Sequence, residues 1–465
     1  MLMELRIDRQ ALVPVVQQIV DALSCWLRRS EVLPGTRLPS VRQIAQINLL
    51  SQSSVAEACE RLVVQGVLGA RHGAGFFVAA PVLPASEHYD LPWYEGTEKT
   101  AGDRFGELKL GCGGLPESWR EPDDLSYAIR QITRTDMAGL FNYSTPLGLP
   151  ALRQQIRKQL LQLDMLVDEN QILTTAGASQ GLDLIARTLL KPGDCVVVES
   201  PGYSLLFDLL RLHGVRMIEV PRTPRGPDLD ILETLLVNHQ PRALFINSFY
   251  HNPTGSNLAP LVAQQVLQLA KNHGVLVIED DVYADLYSGP GMRLAALDTD
   301  DNVIYVGSYS KTLSSSLRVG FVVAGAQLVS RLAEVKMISS MGASRFCESV
   351  LASLLASGAY RKLVHRQRLR LNSDRGAVLQ MLEDADWQVF GKPAGGLFIW
   401  ARARHSSYAE VRTQAQRFGV LLSCAKAFSP TATGSEWLRI NVAYACDPRA
   451  RAFFQATGLN RPQTS

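Results

Sequence analysis

Apolar residues at Val13, Val16, Ile19, Val20, Leu23 and Leu27 recur at intervals of three and four. That is the period of one helix face, and it predicts an amphipathic helix over 13–29 with Pro14 tolerated in its first turn. The phrase Leu33-Pro-Gly-Thr-Arg-Leu-Pro-Ser40 predicts a turn, after which Ser40 and Gln43 form a capping box opening a short helix through Gln46. A third helix is predicted after Ser51, with Val55, Cys59, Leu62 and Val63 on its apolar face and Gly66 ending it. Two short apolar strands around a glycine-rich turn then fill Val67 to Val78.

The pattern changes twice beyond this point. From Pro81 to about Gly106 there are three prolines, several acids and little apolar periodicity, which suits an exposed connector. From about Leu108 onward, apolar runs such as 194–199, 243–247, 275–279 and 302–305 alternate with amphipathic segments, predicting a parallel sheet covered on both faces. The expected division is an α+β domain over 1–80, a linker over 81–107 and an α/β domain over 108–465.

Composition narrows the classes. With 465 residues, 46% hydrophobic and 20% charged, the chain is long enough for two or three globular domains. A net charge of +3 neither requires nor excludes nucleic acid, so any basic surface must be local. Residues 1–80 hold eight arginines against six acids and no lysine. Seven cysteines without a Cys-x-x-Cys pair point to reduced thiols in a cytoplasmic protein and to no metal site. No apolar h-region opens the chain and no run approaches about 18 apolar residues, so neither secretion nor membrane insertion is expected.

Candidate chemistry gathers at predicted strand ends. Asn252-Pro-Thr-Gly255 follows one strand, Asp280-Asp-Val-Tyr283 ends the next, and Lys311 follows a third inside Gly307-Ser-Tyr-Ser-Lys-Thr-Leu-Ser-Ser-Ser-Leu-Arg318. Alone, the first is a turn and the last a surface lysine; in succession they fall where open parallel sheets bind ligands. A lysine among small hydroxyl residues, with an arginine seven positions on, suits Schiff-base formation beside a phosphate dianion. Thr175-Ala-Gly-Ala-Ser-Gln-Gly-Leu182 adds a glycine-rich strand-to-helix turn able to present backbone N–H groups to an anion, or simply to cap a helix.

This ordered set resembles the fold-type I pyridoxal phosphate enzymes of the aspartate aminotransferase superfamily, over about residues 108–458. The resemblance implies pyridoxal 5'-phosphate as cofactor, Lys311 as the Schiff-base residue, and Asp280 against the pyridine nitrogen. It implies Asn252 and Tyr283 at the 3-oxygen, Tyr203 on the ring face, and Ala178, Ser179, Ser308 and Arg318 around the phosphate. It further implies that Arg439, in Trp437-Leu-Arg-Ile-Asn-Val442, clamps a substrate or effector carboxylate, and that Tyr143 reaches the phosphate of a second subunit, so that the site needs a homodimer. Gly111 to Gly114 resembles the glycine segment near the substrate pocket. Read singly, Tyr203 is also a core aromatic and Arg439 a strand-end ion-pair partner.

The first eighty residues carry a second resemblance. Leu38-Pro-Ser-Val-Arg42, Ser51-Gln-Ser-Ser-Val55, Glu60-Arg-Leu-Val-Val-Gln-Gly66 and Arg71-His-Gly-Ala-Gly75 are similar to the GntR-type winged helix-turn-helix domain. It implies DNA contacts from Arg42, Gln52, Ser53 and Ser54 on the helices and from His72 and Gly73 at the wing tip. Gln52 and Ala56 stand where such domains commonly carry arginine, which predicts weaker phosphate contact, while glutamine retains the capacity to pair with adenine.

The two parts in this order resemble MocR-type regulators. The implied function is a transcription regulator that binds double-stranded DNA and takes an amino acid, an amine or the cofactor itself as effector. The alternatives are a working aminotransferase with an appended DNA-binding domain and an apo scaffold that has lost its cofactor.

Overall fold

The structure, a computed structural model, describes residues 5, 7, 14–29, 35–64, 67–71, 75–79, 107–120, 122–136, 138–287, 293–393, 395–431 and 434–458. It divides into two compact units, Met1–Leu91 and Pro92–Ser465.

In the first unit, α1 (Val15–Arg29) buries Ile19, Val20 and Leu23. It begins one residue after Pro14, whose carbonyl accepts from Gln18 N. Pro14 thus precedes the first turn instead of lying inside it, which removes the expected N–H deficit from the helix. Helix α2 (Val41–Ile47) opens on the expected capping box: Ser40 Oγ accepts from Gln43 N and Gln43 Oε1 accepts from Ser40 N at 2.9 Å. Helix α3 (Gln52–Val64) is capped by Ser51, whose Oγ accepts from Ser54 N at 3.0 Å. Strands β1 (Leu68–Arg71) and β2 (Gly75–Val78) pair antiparallel, and Arg37 bridges to Phe77, giving the hairpin a third strand-like edge. The core joins Ile19, Leu23, Ile44, Val55, Leu62 and Leu68. Cys59 lies within it, its thiol pushed up to about 11 by burial, and acts as a small apolar side chain. Gly66 lies outside the described residues.

The second unit is built on an eight-stranded sheet. Its strands are β3 (Ile172–Thr175), β4 (Cys195–Ser200), β5 (Arg216–Thr223), β6 (Gly226–Pro227), β7 (Ala243–Ile246), β8 (Leu276–Asp280), β9 (Val303–Ser308) and β10 (Gly320–Val323). They lie in the order β3-β10-β9-β8-β7-β4-β5-β6. Alternate residues of β4 enter opposite cores. Val196 and Val198 pack with Leu182, Leu206 and Leu332, whereas Val197 packs with Leu232, Leu236 and Val266. Both faces are therefore covered, as the continuous apolar runs predicted.

The expectation of a parallel sheet holds for β5, β4, β7, β8 and β9 and fails at two places. Strand β10 runs antiparallel to both β9 and β3, and β6 runs antiparallel to β5. The connections explain this. The 309–319 segment carries no helix across a sheet face, and a two-residue turn joins β5 to β6, so the chain returns alongside itself. A smaller antiparallel sheet of β11 (Trp387–Val389), β12 (Phe398–Ala403) and β13 (Leu438–Asn441) packs with the Ala359–Asp384 helix around Leu371, Val378, Phe398 and Ile440. No helix among the described residues is long and apolar enough to cross a membrane.

Candidate functional site

Strands β7, β8 and β9 are parallel neighbours, so their carboxyl ends share one edge. The expected motifs leave the sheet there. After β7 the chain runs through Asn247 to Asn252-Pro253, a cis bond. Strand β8 ends on Asp280, and Lys311 stands three residues beyond the last residue of β9.

Two acids, Glu279 and Asp280, end β8 and a third, Asp281, follows it; strand alternation sends Asp280 to the face opposite Glu279. Glu279 accepts from Ser248 Oγ at 2.5 Å and from Leu294 N and Ala295 N. Asp281 pairs with Arg293 Nε at 2.9 Å and accepts from Tyr305 OH at 3.1 Å. Asp280 Oδ1 is buried and has no hydrogen-bond partner. Burial, and then the charge of Asp281, push the Asp280 carboxyl up to about 7, opposed by a hydrogen bond from the Val282 backbone N–H and then by Lys311. A buried carboxyl oxygen without a partner, on a group whose charged form burial disfavours, is suited to a basic or cationic partner.

The glycine-rich turn closes the same edge. Gly177 sits at φ 82 ahead of the Ala178–Leu189 helix, and a Cβ there would fall 2.4 Å from Arg318 Nη2. Arg318 donates to Ala176 O at 3.1 Å and to Ser310 Oγ at 3.3 Å. The lysine loop is thereby drawn onto the start of the helix, bringing Arg318 to the Ala176–Ala178 turn. Ser308 Oγ, buried, accepts from Ser310 N within that loop. Ser179, in the first helical turn, is exposed.

On the other side stands Arg439, 5% exposed on β13. Its Nε and Nη2 both donate to Gly111 O, at 3.1 and 2.7 Å; Nη2 also donates to Ser423 Oγ at 3.1 Å, and Nη1 to Asn252 Oδ1 at 3.0 Å. The rings of Phe398 and Phe428 lie 4.8 and 5.0 Å from the guanidinium carbon. Two residues on, Gly113 O accepts from Lys311 Nζ at 3.1 Å. One short segment thus presents carbonyls to the guanidinium and to the ammonium. Asn441 Nδ2 holds it through Cys112 O and Gly114 O.

Tyr283 is buried edge-on to Phe398, 5.6 Å between ring centroids. Tyr203 lies at the head of the Ser204–Leu212 helix and lines a narrow crevice with Asn252 and Asp280. Tyr143 is 74% exposed. In the first unit, Arg42, Gln52 and Ser53 are exposed, and the Ser53 and Ser54 hydroxyls lie 3.1 and 2.7 Å from Ser51 Oγ. His72 and Gly73 lie outside the described residues.

The sequence matches the family model for aminotransferase class I and II over residues 107–451 and that for the gntR family of bacterial regulatory proteins over residues 15–78. The chain belongs to the class I and II aminotransferase family, with a gntR-type segment ahead of it. It is 28% identical to the uncharacterized HTH-type transcriptional regulator YisV of Bacillus subtilis (strain 168) over 415 residues, 84% of this chain and 85% of that protein. It is 31% identical to the 2-aminoadipate transaminase of Thermus thermophilus over 332 residues, 67% of this chain and 82% of that enzyme. The fold matches LysN, the α-aminoadipate aminotransferase of Thermus thermophilus, complexed with N-(5'-phosphopyridoxyl)-L-leucine. The TM-score is 0.70 at 28% identity, covering 76% of this chain and 92% of that one.

The residues present fit pyridoxal phosphate. A buried carboxyl oxygen lacks a partner at the end of β8, a primary amine and an amide follow the strands on either side, and a turn where a Cβ would meet Arg318 lies at the start of the Ala178–Leu189 helix.

Several groups escaped the motif reading. Glu199 and Arg222 form a buried pair at 2.5 Å behind the site; burial pushes Glu199 up, opposed by the guanidinium. His251, fully buried, is driven well below its ordinary value by burial and then by Arg222, and is neutral. Asn247 was also missed. It lies one residue past β7, the same strand-end position that singled out Asp280, and that was the available signal.

Proposed function

We propose that the protein is a pyridoxal-phosphate-dependent transcription regulator: residues 1–80 read double-stranded DNA, 81–107 link, and 108–465 hold the cofactor and sense an amino acid or amine. The observation that carries this is the coexistence, in one chain, of a gntR-type segment and a strand-end site whose Asp280 Oδ1 is buried without a partner. When bound, pyridoxal phosphate supplies an aldehyde that condenses with primary amines, on an electron-withdrawing ring. Lys311 provides the chain's own amine. Asp280 faces the ring nitrogen, where its raised carboxyl holds or releases a proton. Asn252 and Tyr283 donate to the ring's 3-oxygen, Tyr203 covers the ring face, and Ala178, Ser179, Ser308 and Arg318 surround the phosphate. Tyr143 reaches that phosphate from a second copy in a homodimer, and the protein works in the cytoplasm.

Arg439 binds the effector's carboxylate. A guanidinium has five N–H donors, and four hydrogen bonds to Gly111 O, Ser423 Oγ and Asn252 Oδ1 already engage most of them. A bidentate carboxylate therefore displaces at least one of these, and Gly111 O, which takes two, is the group that a carboxylate mimics. The Gly111–Gly114 segment begins four residues after the linker's last residue, 107. Effector binding is in this way a change at the root of the connection to the DNA reader, and only a ligand that discriminates between the two states shifts their balance. On the DNA side, Arg42 contacts phosphate, and Gln52, Ser53 and Ser54 address the groove, with His72 and Gly73 at the wing.

The full set of amine, acid and carboxylate-binding groups also supports turnover as an aminotransferase, and one experiment separates the two. Cofactor-loaded protein is mixed with each amino acid while keto acid release and DNA protection are followed together. A regulator changes its protection with at most about one keto acid per site. Sustained release over many cycles, with protection unaltered, supports the enzyme instead.

A further inference from the structure

Behind the site, one side chain joins the two groups that face the ring. Asn252 follows β7 and Asp280 ends β8, so their separation is set by whatever crosses between the strand ends. Asn247 crosses there: its Oδ1 accepts from Asn252 N at 2.9 Å and its Nδ2 donates to Asp280 O at 2.7 Å. Its backbone is gripped in turn. Asn247 N donates to Glu199 Oε2 at 2.8 Å, and Asn247 O accepts from Arg222 Nη1 at 3.0 Å. Glu199 and Arg222 are the buried 2.5 Å pair, so a rigid ionic floor lies under the amide. An amide is the one short neutral side chain offering an acceptor and a donor in a fixed plane, which is what a backbone N–H on one side and a carbonyl on the other require. A carboxylate would set an acceptor against the Asp280 carbonyl, and an apolar side chain would leave both backbone groups unmet.

We propose that Asn247 is a positioning residue of the cofactor site, fixing Asp280 and Asn252 at the separation that lets one grip the ring nitrogen while the other donates to the 3-oxygen. This rests on the pyridoxal phosphate reading above. It acts through those two residues and not by touching the cofactor.

The test uses the full-length chain with Asn247→Leu, which keeps the branching at Cγ and removes both bonds, and Asn247→Ala, each measured for pyridoxal phosphate affinity and for the pH midpoint of the bound chromophore's absorbance. Both variants are expected to bind the cofactor at least about 10-fold more weakly and to shift that midpoint, with melting of the apo protein within a few degrees of wild type. In an Asn252→Ala background, adding Asn247→Leu is expected to move the midpoint less than it does alone, because one of the two side chains it positions is gone and only the effect through Asp280 remains. Affinity within about twofold and an unmoved midpoint in both variants overturn the proposal. So does a full additive shift in the Asn252→Ala background. Failure of both variants to fold without cofactor also overturns it, since Asn247 is then structural. Wild-type protein that takes up no pyridoxal phosphate defeats the underlying functional reading itself, a result distinct from all of these.

Discussion

The carboxyl edge of the large sheet and the opening of α3 both collect polar side chains, and they treat them in opposite ways. At the sheet edge Asn252, Tyr283 and Ser308 are buried, as is Arg439 facing them from β13, and Arg439 is bound both to Asn252 and to the distant Gly111 carbonyl. At α3, Arg42, Gln52 and Ser53 are exposed, and Ser53 and Ser54 lie against the neighbouring Ser51. The first region is preorganised: folding has already met the cost of ordering its groups, and a ligand has to replace bonds that exist. The second presents donors to water and waits for a partner. A buried site of this kind suits discrimination of a small molecule, and an exposed one suits a charged, hydrated groove whose affinity depends on salt.

The contrast is broken most severely at Asp280. Asp280→Ala should lower pyridoxal phosphate affinity by about 100-fold, the loss of one buried charge-assisted contact, read by fluorescence titration. Asp280→Asn adds a sign test. The wild-type carboxyl is raised from its ordinary value to about 7 by burial, so the folded apo protein holds a proton that the unfolded chain gives up near pH 4. Burial of Asp280 therefore costs stability increasingly as pH rises from about 4 to 7, and fully above. The asparagine variant should melt higher than wild-type apo protein at pH 8 and at about the same temperature near pH 4.

Next in size is Arg439→Lys, which keeps the charge and loses the fork. Effector affinity should fall by about 10- to 30-fold while cofactor affinity changes little, measured as the ligand concentration giving half the spectral change. On the exposed side the effects are smaller. Arg42→Ala should weaken DNA binding by about 3- to 10-fold across sequences and reduce the salt slope by about one, in a filter or fluorescence assay at several salt concentrations. Smallest is Ser51→Ala, which removes the cap of α3 and should cost about 1 kcal/mol in the melting of the first unit. If Arg42→Ala instead matched Asp280→Ala in severity for cofactor binding, the two regions would not be separate in function.

The sequence pattern made much of this legible. Runs of buried apolar residues located β4, β7 and β8 to within a residue or two, because strands covered on both faces need unbroken apolarity, and the Ser40–Gln43 box is local chemistry that a local reading recovers. The direction of β10 was not legible, since Gly320–Val323 reads alike in either orientation and only the connection decides. Asp280 and Asp281 are adjacent identical residues; which of them lacks a partner depends on Arg293, twelve residues from Asp281. The pairing of Arg439 with Gly111 spans 328 residues and passes through a carbonyl, which every residue has, so no side-chain pattern announces it. Asn247 was hidden for a similar reason, because an asparagine after a strand usually marks a turn.

A small molecule bound at the Lys311 site should change how the α3 face engages DNA. Footprinting on DNA flanking the protein's own gene reads this in a single assay, with pyridoxal phosphate and a panel of amino acids and amines, for wild type and Lys311→Ala. Wild type should protect a defined site and alter that protection with a particular ligand, while Lys311→Ala should protect the same site, take up no covalent cofactor and give no response. An effector response that is unchanged in Lys311→Ala would refute sensing through this site.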